Sequence, residues 1–265
     1  MSRRGEHRRV AALVEPIEGW LTHREGVELY ELARRCSALG VIVEIGSWHG
    51  RSTVWLAHGS LAGSGSKVFA VDPHTGSSEH RALSGDVWTY DDFRRNIEDA
   101  GVGGHVVPLV ETSARAAAAF EEKAGLVFID GAHDYASVRA DWELWSPYLV
   151  DGGVLAFHDT RQAPWPDGEP RRAMLDAFLG EGEFRCVRFA DSLTYAQKTS
   201  RRSWGIRMRN ALMLRVGRPA YERAEVLRGR ATGFVRWHLM PGGPRRRSAV
   251  AEQPGDGHEG ESPGA

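Results

Sequence analysis

Between Val41 and Lys198 the chain alternates two hydrophobic patterns. Short β-branched or apolar runs predict buried strands: Val41–Gly46, Lys67–Asp72, His105–Val110, Leu126–Asp130 and Gly153–His158. Amphipathic stretches of helical length separate them: Ser52–Ala62, Tyr90–Ala100, Ala114–Lys123 and Tyr135–Tyr148. This alternation predicts a parallel sheet with helices on both faces. Within Tyr135–Tyr148, Val138, Trp142 and Trp145 recur at i, i+4 and i+7, a stripe that reads as core packing. Asp134, just ahead of it, is the predicted N-cap. After a helix near Arg171–Leu179, two runs, Phe184–Phe189 and Ser192–Gln197, predict strands joined by the turn Ala190–Asp191. A hairpin is antiparallel. The expected architecture is therefore a three-layer α/β sandwich with a mostly parallel, seven-stranded sheet and an antiparallel terminal strand.

The residues before Val41 predict one or two helices at the edge of this core. The expected divisions are a helical segment 1–40, the core 41–198, an Arg-rich helical extension 199–247 and a Gly/Pro/Glu-rich tail 248–265 expected to be disordered. Charge changes the picture of the extension. From Arg201 to Arg247 there are 13 arginines against Glu222 and Glu225, a balance of +11. The formal net charge of the whole chain is −1, so the remainder carries −12. Trp204, Met208, Ala211 and Leu212 share a helical face among these arginines, and Phe234, Trp237 and Leu239 follow. Such a stretch fits an anionic membrane surface, an acidic partner, or an extension packed on the acidic body. Nucleic acid is disfavoured, because no RNA-binding signature accompanies the arginines. A homo-oligomer stays open. Two distant cysteines, Cys36 and Cys186, imply neither a disulfide framework nor a Cys-rich metal site. No apolar run follows the basic Met1–Arg9, and none approaches the length of a membrane span, so a cytoplasmic protein is expected.

The stretch "VEIGSWHGRSTVWLA", Val43–Ala57, is a strand, a turn between two glycines, and a helix start. In an open parallel sheet, ligands sit beyond the C-terminal strand ends. Gly46 permits a tight turn, Gly50 permits close backbone approach, and Ser52 can cap the helix. A dinucleotide site would want G-x-G-x-x-G. Here the spacing is G-x-x-x-G, with Glu44 ahead of the turn. A carboxylate there suits a ligand with a cationic group, such as S-adenosylmethionine, better than a pyrophosphate. Asp72 ends the second strand, where an acid can accept hydrogen bonds from ribose hydroxyls. The competing structural readings are a salt-bridged strand end for Glu44 and a turn cap for Asp72.

With "VFAVDPHTG" and "LVFIDGAHDYASVRADWELWSPYLVDGGVLAFHDT" added, the region Val41–Thr160 resembles the Rossmann-like class I S-adenosylmethionine-dependent methyltransferases. It is most similar to the branch of macrocin-type sugar O-methyltransferases and cephalosporin-hydroxylase-like proteins. The resemblance implies that Gly46, Ser47 and Gly50 cradle the methionine end of the cofactor and that Asp72 holds the ribose. It places Thr112 and Ser113 near the adenine. It also resembles metal-dependent catechol-type O-methyltransferases, which implies a divalent ion, Mg²⁺ or Mn²⁺, on Asp130, His158 and Asp159. His158 is the departure, because those relatives carry an acid there, and an imidazole tilts the site away from Mg²⁺. His133, three residues after Asp130, takes the place of the basic residue that deprotonates the acceptor, a task suited to an imidazole. The alternative is that these groups only cap turns.

The implied reaction is O-methylation of a small polar hydroxyl on a sugar or natural product. Pro73–Val87 and Arg161–Glu169, with Trp165, are long enough for lids or acceptor surfaces. Two alternatives remain at this point. One is an NAD-dependent oxidoreductase, which the missing G-x-G disfavours. The other is a partner protein that binds the cofactor without catalysis.

Overall fold

In a computed structural model, which describes residues 2–76, 86–161, 169–180 and 182–227, seven strands form one sheet. They are β1 (Val41–Ile45), β2 (Val68–Val71), β3 (Val106–Leu109), β4 (Ala124–Ile129), β5 (Leu149–Phe157), β6 (Phe184–Ala190) and β7 (Leu193–Lys198). Their order is β3-β2-β1-β4-β5-β7-β6. The first five run parallel to one another, and β7 runs antiparallel to both β5 and β6. Every residue of β4 is buried, so its sequence reads as a continuous apolar run instead of alternating. This is the Rossmann-like α/β architecture, with order reversing between β1 and β4.

Helices cover both faces. One apolar cluster joins α1 (Arg3–Val14), α2 (His23–Cys36), α3 (Arg51–Leu61) and α4 (Tyr90–Asp99) through Val14, Leu29, Trp55 and Phe93. The other joins α5 (Ser113–Ala118), α6 (Tyr135–Trp145) and α7 (Glu169–Leu179) through Ala116, Trp145 and Phe178. The aromatic stripe of α6 packs in this second cluster, and Asp134 caps the helix by accepting from the Ser137 amide at 2.9 Å.

Of the segment before Val41, α2 lies against β1, β4 and β5, and α1 packs on α2 and α3. Thr22 and Glu25 form a capping box that starts α2. The helix then packs closely along α3, where a Cβ on Gly26 would stand 2.3 Å from the Trp55 indole nitrogen.

The C-terminal extension enters as α8 (Trp204–Leu212), a π-helical turn Met213–Gly217 and α9 (Arg218–Leu227). Met1–Glu222 is one compact unit and Arg223–Ala265 a second. The expected division at 198/199 is therefore not where the first unit ends. Asn210 Nδ2 donates to the carbonyls of Phe178 (2.9 Å) and Phe184 (2.7 Å), and Leu214 is buried. The fully buried Arg218 bonds Glu222 at 2.7 Å, Thr194 Oγ1 at 2.8 Å and the Asp191 carbonyl at 2.9 Å. Removing a buried charge strands its partners, so Arg218→Ala should lower unfolding free energy by about 3 kcal/mol. The exposed Arg215→Ala should change it by less than about 0.5 kcal/mol. Urea denaturation of both variants checks this pair. Most of Pro73–Val87 and Arg161–Glu169, including Trp165, and the residues from 228 onward lie outside the described residues.

Candidate active site

Parallel pairing brings four strand ends to one rim. The Gly46 amide donates to the Val71 carbonyl (2.9 Å), Asp130 to Ile45 (2.8 Å) and His158 to Ile129 (3.0 Å). Gly46, Asp72, Asp130 and His158 therefore share the C-terminal edge of the sheet.

The turn after β1 needs its glycines. Gly46 has φ +85°, and a Cβ there would stand 2.3 Å from the Asp130 carbonyl oxygen. Gly50, at φ +90°, is the N-cap of α3 and leaves the first helical amides without a side-chain cap. Between them Trp48 also adopts the left-handed region, at φ 48°. Asp72 holds this shape. Its Oδ2 accepts from the amides of Ser47 and Trp48, both at 2.9 Å, and its Oδ1 accepts from the His74 amide at 2.7 Å. Two carboxylate oxygens offer about four lone pairs. Among the described residues three are engaged, which leaves one for a ligand hydroxyl.

Glu44, on β1 just before the turn, is fully buried. One oxygen accepts from Thr53 Oγ1. Among the described residues, Glu44 Oε1 and the buried Ser47 hydroxyl have no hydrogen-bond partner. Burial pushes the Glu44 carboxyl up to about 8, against the lowering influence of the nearby Ser52 and Thr53 hydroxyls, and the nearby Asp130 and Asp72 charges add to the rise. The folded chain thus keeps a proton that the unfolded chain releases near 4.5. This contribution is complete below the unfolded value and is lost as pH rises toward the folded one, by at most about 1.4 kcal/mol per pH unit. Glu44→Gln should flatten that slope. Chemical denaturation at a series of pH values between these limits would show equal slopes in both proteins if the assignment were wrong.

Acidic and basic groups converge beyond β4 and β5. His133 Nε2 lies 3.1 Å from Asp159 Oδ2. Single ligand atoms of Asp130, His133 and Asp159 all lie within 4.8 Å of one another. Asp159 has φ 51°, a left-handed conformation uncommon outside glycine. The expected ion set was Asp130, His158 and Asp159, whereas the group whose ligand atoms converge includes the His133 ring. His158 is buried behind the cluster with both ring nitrogens facing carboxylates. Its Nδ1 is 3.0 Å from Asp130 and 3.2 Å from Asp159, and its Nε2 is 3.4 Å from Glu25. Burial opposes its charge, yet Asp130, Asp159 and Glu25 together hold it well above the usual imidazole range. His158 thus lies among three carboxylates as a buried counter-charge, and the donor atoms that converge beside it are those of Asp130, His133 and Asp159.

Glu25 is the group that sequence reasoning missed. Its Oε1 accepts from the Ser192 amide (2.7 Å) and hydroxyl (2.6 Å), and its Oε2 accepts from the Thr22 amide (2.8 Å). Burial alone would raise this carboxyl, but the His158 charge and these bonds bring it down to about 2. Its capping-box spacing is visible in sequence. Its meeting with His158, on the far side of the chain, is not. Burial raises Asp130 above the ordinary carboxyl value against the pull of His158. Burial acts on Asp159 too, but His158 and His133 hold it far below that value.

Thr112 and Ser113 follow β3 at the start of α5. Thr112 Oγ1 accepts from the Arg115 amide at 3.4 Å, and Ser113 Oγ accepts from the Trp145 indole at 2.9 Å. Both side chains thus help to hold the helix start, and the exposed Thr112 keeps its hydroxyl proton as well as backbone to offer a ligand.

Residues 43–160 match a family model described as a methyltransferase domain. Solved structures share this chain's fold at low identity. The O-methyltransferase NovP is 17% identical with a TM-score of 0.57, over 74% of this chain and 98% of that one. Cofactor-bound Rv0187 from MTB is 18% identical with a TM-score of 0.54, over 75% and 90%. TomG from Streptomyces achromogenes, an O-methyltransferase of tomaymycin synthesis in complex with SAM, is 15% identical with a TM-score of 0.52, over 76% and 91%.

Proposed function

We propose that this chain transfers the methyl group of S-adenosylmethionine to a hydroxyl of a small polar acceptor, a sugar or a natural product of the macrocin-type branch. The observation that carries the reading is the buried Glu44 Oε1 and Ser47 hydroxyl, both without a partner among the described residues, beneath a left-handed glycine turn. Buried polar atoms are rarely left unpaired. A ligand with an ammonium and a carboxylate, and no phosphate, satisfies an acid and a hydroxyl at this turn. A dinucleotide pyrophosphate would meet Glu44 instead of amides alone.

The remaining assignments follow from position. The turn 46–50 takes the methionine end, Asp72 the ribose through its remaining lone pair, and the backbone at Thr112–Ser113 the adenine. The acceptor oxygen attacks the sulfonium methyl in line, forming the O–C bond as the C–S bond breaks and leaving the neutral thioether. The acceptor proton resides on the His133 ring, whose Nε2–H the Asp159 carboxylate then holds at 3.1 Å. Most of the acceleration in such a displacement comes from holding the reactants in line. As the alternative to this proton-accepting role of His133, Asp130, His133 and Asp159 fit a divalent ion, and one nitrogen with two oxygens suits Mn²⁺, Fe²⁺ or Zn²⁺ better than Mg²⁺. When bound, such an ion would make an acceptor hydroxyl more acidic. Both cysteines are free, which accords with a reducing, cytoplasmic setting.

Labelled S-adenosylmethionine incubated with pooled sugars and hydroxylated metabolites, with and without a chelator, tests the reaction. Label in an acceptor supports it, and loss of label in chelator assigns the ion. Asp72→Ala should weaken cofactor binding by more than tenfold, roughly the 1.5–3 kcal/mol of a charge-assisted hydrogen bond, because both a ligand contact and the turn's shape go with it. Unchanged affinity by calorimetry in a folded Asp72→Ala protein would remove the ribose assignment.

A further inference from the structure

The helical arm that follows β7 has two opposed faces. One faces inward, where Asn210, Leu214 and Arg218 are buried, four residues apart. The other is apolar and bare. Trp204, Met208, Leu212 and Val216 also recur every four residues, and they are 74%, 50%, 61% and 58% exposed. In a regular α-helix a four-residue spacing drifts by about 40° per step. The π-helical turn Met213–Gly217 is wider and takes back part of that drift, so both stripes stay in line. Exposed arginines flank the apolar stripe, with Arg209 on one side and Arg207 and Arg215 on the other. No acidic residue occurs from Arg201 through Tyr221. The sequence from Arg228 to Arg247 adds six arginines and again no acid.

We propose that this stripe seats the protein on an anionic lipid surface. Trp204, Met208, Leu212 and Val216 enter the boundary between headgroups and acyl chains, and Arg207, Arg209 and Arg215 meet lipid phosphates. A continuous row of large exposed apolar side chains marks a contact surface in a folded protein. Charge complementarity selects the occupant. Two copies meeting stripe to stripe about a two-fold axis would set one row of arginines against the other. A negatively charged membrane presents the opposite sign to all of them. Among the described residues no helix is long and apolar enough to cross a membrane, so the contact is peripheral.

Co-sedimentation of the full chain with vesicles tests this, using phosphatidylcholine alone or mixed with phosphatidylglycerol, at low and high salt. Partition onto the mixed vesicles should exceed that onto neutral ones by at least about tenfold and should fall in high salt. Arg207→Gln, Arg209→Gln and Arg215→Gln should each lower it about fivefold. Trp204→Ser with Met208→Ser should lower it further at unchanged thermal stability, since both residues are exposed. Equal partition onto both vesicles, or none onto either, overturns the proposal. A dimer seen by light scattering without lipid, and dissociated by Met208→Glu, would assign the stripe to a second copy and overturn it as well.

Discussion

Alanine in place of His133 should lower methyl-transfer turnover by about 10²–10⁴-fold while leaving S-adenosylmethionine affinity unchanged. The two effects separate because the sheet separates the groups. Glu44, Gly46 and Asp72 lie at the ends of β1 and β2, whereas His133 lies in the turn after β4 and Asp159 after β5. His133 Nε2 and Asp159 Oδ2 are 3.1 Å apart, so the carboxylate stabilises the imidazolium that proton transfer creates. Asp159→Asn should therefore share the loss, and the double variant should be little worse than either single one, since residues acting as a unit are not additive. Single-turnover rates with pre-bound cofactor measure this directly. Full activity of His133→Ala would leave proximity alone to drive the reaction. Additive losses would show that the pair does not act together.

The largest stability effect should come from a residue that touches no ligand in the proposed mechanism. Glu25→Ala should cost about 3–5 kcal/mol, the usual result of removing one partner from a buried ion pair. It removes the carboxylate 3.4 Å from His158 Nε2 and also leaves the Ser192 amide and hydroxyl without their acceptor. The pH dependence has a definite sign. The folded carboxyl sits at about 2 against 4.5 unfolded. Its contribution is therefore complete above the unfolded value and is lost as pH falls through the folded one. Glu25→Ala should unfold at lower urea concentration at neutral pH, and the gap to the parent should close on acidification. A gap that does not depend on pH would mean that the loss comes from packing and not from charge.

The parallel core was legible because each strand is a short apolar run bounded by glycine or an acid, and each helix carries its own periodicity. Gly46 and Gly50 were legible for a related reason, since only glycine fits the backbone they adopt. What stayed hidden was contact between distant segments. His158 sits directly beside Asp159 in sequence, and adjacency favours it as a ligand. Whether its ring faces the rim or the interior depends on Glu25, which arrives from α2. The same holds for Asp72, whose place at a strand end marks it for a ligand but does not show that it also ties down the amides of Ser47, Trp48 and His74. The arginine count pointed to an appendage. Burial of Asn210, Leu214 and Arg218 shows that one face of that helix completes the core, a distinction that composition cannot draw.

Calorimetric titration of the purified chain with S-adenosylmethionine, with its demethylated product S-adenosylhomocysteine, and with NAD tests the central claim most directly. The buried acid and hydroxyl under the glycine turn call for an amino-acid ligand without phosphate. The account predicts saturable binding of both adenosyl ligands at one site per chain and no heat from NAD. Binding of NAD with no response to either adenosyl ligand would contradict it.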